Sequence, residues 1–153
     1  MPTHSRSQVV RSVDRPEVLF GQYKLAVEMA DRISGRRQAA NAFFAPIIAA
    51  LTVTNGSDLV TEGPWSYLVS TVSVLICVLW WRLLLTYRRL NSAKFKVIHE
   101  LEEYLPASLF SVEEVYYTAP EGPRHIALSK IESAIPLLLA VAHVAIIVIV
   151  SVG

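Results

Sequence analysis

The sequence has one cysteine, Cys77, and it lies inside an apolar run. That excludes an intrachain disulfide and any Cys-x-x-Cys or Cys/His metal framework, and it makes Cys77 a small apolar packing residue. Charge is also scarce. Only 18% of residues are charged, against roughly 25% in ordinary globular domains. No P-loop, GxGxxG, GxSxG or HExxH occurs, and the four histidines, His4, His99, His125 and His143, are scattered. The first residues, "MPTHSRSQVVRSVDRPE", contain arginines but no apolar stretch, which excludes a secretory signal. With three arginines and no interleaved aromatics, residues 1–16 read as a flexible polar tail, with no nucleic-acid partner expected. These absences point away from an enzyme and imply no cofactor or metal.

What the chain does have is apolar length. It is 53% hydrophobic, with a mean hydropathy of +0.43. Three runs stand out: 39–54, 64–86 and 134–152. The middle one, "WSYLVSTVSVLICVLWWRLLL", covers the roughly 30 Å of a bilayer core at 1.5 Å per residue. Trp65 and Tyr67 mark one interface and Trp80, Trp81 and Tyr87 the other. The run 39–54 is short, and the charges around it decide its reading. Seven basic residues lie at or before Arg37 and seven between Arg82 and Lys130; the loop 55–63 carries only Asp58 and Glu62. Three transmembrane helices put both basic blocks in the cytoplasm, as the positive-inside rule requires. The expected topology is multi-pass in a bacterial inner membrane, N-terminus cytoplasmic and C-terminus outside.

The fold class that follows is an all-α integral membrane protein in which two long helices extend into a cytoplasmic helical stalk. Residues 17–38 form a helix continuous with the first span, and residues 87–133 form a cytoplasmic helix and a compact segment. Tyr23, Val27, Ala30, Ser34, Arg37, Asn41, Phe44 and Ile48 share one side of the first helix by alternating four- and three-residue steps. Beyond the second span, Phe95, Ile98 and Leu101 give the helix an apolar side that needs cover from the same chain or another copy. Tyr23, Val27, Ala30, Phe95, Ile98 and Leu101 are therefore the expected cytoplasmic assembly surface. The carboxylates of "HELEEYLP" read as a solvated helix face with stalk salt bridges, and Val115–Thr118 as a short strand-like piece.

Polar residues in the spans have two readings. Ser66, Ser70, Ser73 and Cys77 form a small-residue stripe at steps of four, three and four, suited to helix packing or to lining a pore. Asn41 is placed to bond between helices. His143, midway along the last run, is either a neutral hydrogen-bonded side chain or a functional intramembrane group. Arg36, Arg37, Arg82, Arg88 and Arg89 cluster at the inner interface as lipid anchors or as a basic pore mouth.

Three blocks, "YKLAVEMADRISGRRQAANAFF", "WRLLLTYRRLNSAKFKVIHELEEYLP" and "LSKIESAIPLLL", resemble the RipA-like family of small bacterial octameric membrane proteins. Arg36, Arg37, Asn41, Phe43 and Phe44 fit its first block, and Arg88, Asn91, Lys94, Phe95 and Lys96 its second. More distantly the chain is similar to SLATT-like membrane proteins, whose two-span plan the third span departs from. The resemblance implies a homo-oligomer, an octamer, in the lipid bilayer, with no catalytic residues. The expected function is a non-enzymatic oligomeric assembly, channel-like or scaffold, with a cytoplasmic docking surface. The alternatives are a membrane-perturbing effector triggered by a cytoplasmic sensor or nucleotide signal, and a membrane anchor for a cytoplasmic protein partner.

Overall fold

In the computed structural model, residues 15–56, 64–118 and 128–152 are described, and all regular structure among them is helical. The helices are α1 (Pro16–Asn55), α2 (Pro64–Glu102), α3 (Leu109–Thr118) and α4 (Leu128–Val152). Residues 1–14 of the expected tail (1–16) and residues 57–63 of the expected outer loop (55–63) lie outside the described residues; Pro16, at the end of that tail, already opens α1.

Proline opens both long helices, where its missing N–H costs nothing. The Arg15 carbonyl accepts the first bonds of α1, from the amides of Val18 and Leu19. α2 stops in two tight turns, Tyr104 N–H to Leu101 O and Leu105 N–H to Glu102 O, just before Pro106. At about 1.5 Å per residue each long helix runs close to 60 Å, about twice a bilayer core. Val115–Thr118 is helical, not strand-like: it is the last part of α3.

The chain divides into two compact units, and α1 and α2 run through both. The first unit contains α1 up to Ser34, α2 from Arg89, and α3. Its core is Leu19, Ala26, Ala30, Ile98 and Leu101, with Tyr23, Val27, Phe95, Leu105 and Phe110 packed around it. The second unit contains α1 from Gly35, α2 up to Arg88, and α4. Its small core is Ile48, Cys77 and Ala140, flanked by Leu51, Ile76 and Leu139.

Two helices among the described residues are long and apolar enough to cross a membrane: α2 and α4 from Ile131 to Val152. The apolar run 39–54 is the second half of α1, interrupted by Pro46.

Candidate functional site

In the second unit the polar side chains of the apolar helices face one another. Asn55 ends α1 and is buried; its Nδ2 donates to Ser70 Oγ at 2.7 Å, and Ser66 Oγ donates to its Oδ1 at 3.1 Å. At the other end of the same helix pair, Trp80 Nε1 donates to Asn41 Oδ1 at 3.0 Å, and Phe44 stacks on the Trp80 ring at 6.0 Å. These contacts sit fourteen residues apart on α1 and fourteen on α2. The two helices are thus antiparallel neighbours in one register over about 21 Å.

The small-residue stripe lies in this seam. Ser70, Ser73 and Cys77 are fully buried and Ser66 nearly so. Ser73 returns its hydroxyl to the Val69 carbonyl of its own helix at 2.8 Å. Small side chains there let the α1 and α2 backbones approach, which replaces the hydrophobic drive missing in lipid.

α4 joins through one polar contact on each level. Thr52 Oγ1 donates to the Ile48 carbonyl at 2.7 Å, so its oxygen is left to accept from His143 Nε2 at 3.2 Å. That assigns the neutral imidazole proton to Nε2 and leaves Nδ1 buried without a partner. Arg37 Nε lies 3.1 Å from Glu132 Oε2, with both side chains 19% exposed. Neither atom meets hydrogen-bond geometry there, so the contact is one of charge with charge. Arg37 is thus paired inside the chain, while Arg36, Arg82 and Arg89 are exposed and Arg88 is half-buried.

The first unit centres on a carboxylate. Glu102 is 2% exposed and accepts four hydrogen bonds: from Tyr23 OH at 3.0 Å, Phe110 N–H at 2.8 Å, Ser111 N–H at 2.9 Å and Ser111 Oγ at 2.7 Å. Two of these donors are amides of the first turn of α3, which have no partner within their own helix. A carboxylate there also meets the positive end of the helix dipole. Burial pushes the Glu102 pKa up, but the four donors outweigh it and hold the carboxyl below its ordinary value. Burial and the adjacent Glu102 together raise the Tyr23 phenol. Glu102 is therefore not part of a solvated face; it is the pin that joins α1, α2 and α3.

The six residues expected to form an assembly surface are used within one copy. Ala30, Ile98 and Leu101 are buried, and Tyr23, Val27 and Phe95 pack against them. Phe110 of α3 supplies the cover, with its ring 5.8 Å from Phe95 and 6.4 Å from Tyr23. Beside it, Phe95, His99, Phe110, Glu113 and Glu114 line a cavity of about 290 Å³, and His99 Nδ1 lies 3.5 Å from Glu114 Oε2.

With this geometry in place, the comparison with known families is decisive. Residues 20–152 match the octameric membrane protein family (8xMP). The chain belongs to that family. No curated protein and no solved structure matches it. The 8xMP match covers α1 from Phe20 onward and the whole of α2, α3 and α4, so the polar seam and the Glu102 pin both lie within it. Asn55, Thr52, Glu102 and Glu132 were absent from the sequence-derived site of this 8xMP chain. The signal for Asn55 was available: it lies as far from Asn41 as Ser66 lies from Trp80, so one antiparallel register pairs both ends.

Proposed function

We propose that the chain assembles as a homo-octamer in the bacterial inner membrane and acts there as a non-enzymatic scaffold. In this reading three helices span, with the N-terminus in the cytoplasm and the C-terminus outside. The unit containing α3 faces the cytoplasm and offers the docking surface for a protein partner. The family match over residues 20–152 carries the oligomeric part of this reading.

The orientation of polar groups favours a scaffold over a channel. Ser66, Ser70, Ser73, Asn55 and His143 are buried within a single copy. The exposed side chains of α2 from Leu68 to Leu79, Thr71 apart, and of α4 from Ile135 to Val150 are apolar, with Leu75, Leu79, Leu138 and Ile149 each at least 60% exposed. Such a surface suits lipid or a neighbouring copy; it supplies no polar wall for water.

The full chain, purified in mild detergent, is expected to have a protein mass of about eight times 17.0 kDa by light scattering. Planar bilayers containing it should show no conductance, and cells overexpressing it should keep their membrane potential. A smaller mass overturns the octamer. Conductance would replace the scaffold with a channel, and depolarisation would replace it with a membrane-perturbing effector.

A further inference from the structure

Within the first unit, α3 covers only one side of the α1/α2 pair. Phe110 reaches Tyr23 of α1 and Phe95 of α2 on that side. Helical spacing turns Leu25 and Met29 to the opposite face of α1 from Tyr23 and Val27. It likewise turns Leu90, Lys94 and Val97 away from Phe95 and His99 on α2. The four apolar side chains are 40–55% exposed. Lys94 Nζ lies 3.7 Å from Met29 Sδ, so the two rows form one apolar surface with a cation in it.

α3 has a matching row. Leu109, Val112 and Tyr116 follow steps of three and four and are 67%, 49% and 77% exposed, with Glu113 at their edge. The helix has two carboxylates and no basic residue. Ten residues make only about 15 Å of helix, half of what a bilayer core needs. Carboxylates along the row also disfavour an anionic leaflet. The charge on each surface therefore selects the other.

We infer that α3 of one copy docks on the open α1/α2 face of the next copy, with Glu113 directed to Lys94. This rests on the octameric reading above. A cyclic octamer closes through a heterologous contact, in which two different patches of the same chain meet. These are two such patches, opposite in charge and both left open by the described residues of their own chain. Each α1/α2 pair would then lie between two copies of α3, its own and its neighbour's.

The test uses full-length chains in native membranes, with the buried Cys77 left in place. Chains bearing Met29→Cys and chains bearing Val112→Cys are co-expressed and oxidised, and a disulfide-linked mixed dimer is expected. The doubly substituted chain should give a ladder of linked species, and neither single variant should link to itself. Lys94→Glu and Glu113→Lys should each shift the detergent mass below the octamer, and the combined swap should restore it. Linking of Val112→Cys to itself would overturn the inference by showing a two-fold contact. An octameric mass with no mixed link and no rescue overturns the docking alone, whereas a monomeric mass overturns the octamer itself. A nitroxide on Val112→Cys relaxed by lipid-dissolved oxygen would give the face to lipid and also overturn it.

Discussion

Glu102 carries more of the first unit's order than any other polar side chain described. A buried carboxylate is tolerated only when its lone pairs are met, and here four donors from two helices meet them. Glu102→Ala leaves the Phe110 and Ser111 amides and the Tyr23 hydroxyl facing a void. The expected cost is about 2–4 kcal/mol, read as a lower melting temperature in detergent. Glu102→Gln keeps an acceptor but loses the charge, and should mainly speed hydrogen exchange at Phe110 and Ser111. The pH dependence has a definite sign. Because the folded-state pKa is lowered, this stabilisation is present above the unfolded carboxylate pKa and is lost as pH falls through the folded value. Melting followed from pH 7 down to pH 3 should show this loss in the wild type, and Glu102→Gln should flatten it. In the second unit Asn55→Ala removes the partner of both Ser66 and Ser70, at about 1 kcal/mol. Ser73→Leu should cost more, about 1–3 kcal/mol, because Ser73 has no exposed surface and a larger side chain must part the helices. A pore-lining serine at position 73 would tolerate the leucine with little loss of stability.

At the scale of elements, the long helices were legible because their signals agree. Proline starts them, no breaker interrupts α2, and one face of α1 keeps its spacing from Tyr23 to Ile48. Every residue of that series is buried or half-buried in the fold. The helix α3 was not legible. Val115, Tyr116, Tyr117 and Thr118 have strand propensity, and what overrides it comes from outside the segment. Ser108 precedes the first turn and its carbonyl accepts the Val112 amide, Glu102 caps the amides of Phe110 and Ser111, and Phe110 is held against Phe95. The first of these cues is local; the other two need the fold. The Glu102 reading failed for the same reason, since "HELEEYLP" shows three similar glutamates and only packing selects the one turned inward. Gly35, within α1, gives a test at this scale. A Cβ there would meet nothing within 4 Å, so Gly35→Ala should stabilise the chain by about 1 kcal/mol through helix propensity. A lower melting temperature instead would show that a neighbouring copy approaches the helix at this glycine.

For the whole molecule the question is how many helices cross the bilayer. By length and hydropathy α2 and α4 qualify; the apolar half of α1 falls short because its run is only sixteen residues long and holds Asn41 and Pro46. Its contacts argue for a third span. Asn41 meets Trp80 and Asn55 meets Ser66, so α1 keeps level with α2 over about 21 Å of any bilayer that α2 crosses. Lipid could not reach the α1 side of Ser70, Ser73 and Cys77 without breaking that register. The Arg37–Glu132 pair adds a constraint, since it places the start of the apolar half of α1 beside the start of the apolar run of α4. A pair at the headgroup level keeps both charges out of hydrocarbon, where each would be costly. In the proposed three-span arrangement in the inner membrane, reporters fused to the two termini fall on opposite faces, the N-terminal one in the cytoplasm. With two spans they fall on the same face. An alkaline phosphatase fusion after Val152 should therefore be active and a fluorescent protein there dark, and the reverse result would leave α1 outside the bilayer. Glu132→Lys should then leave the C-terminal reporter outside but lower the melting temperature, because two cations would face each other where a pair now stands.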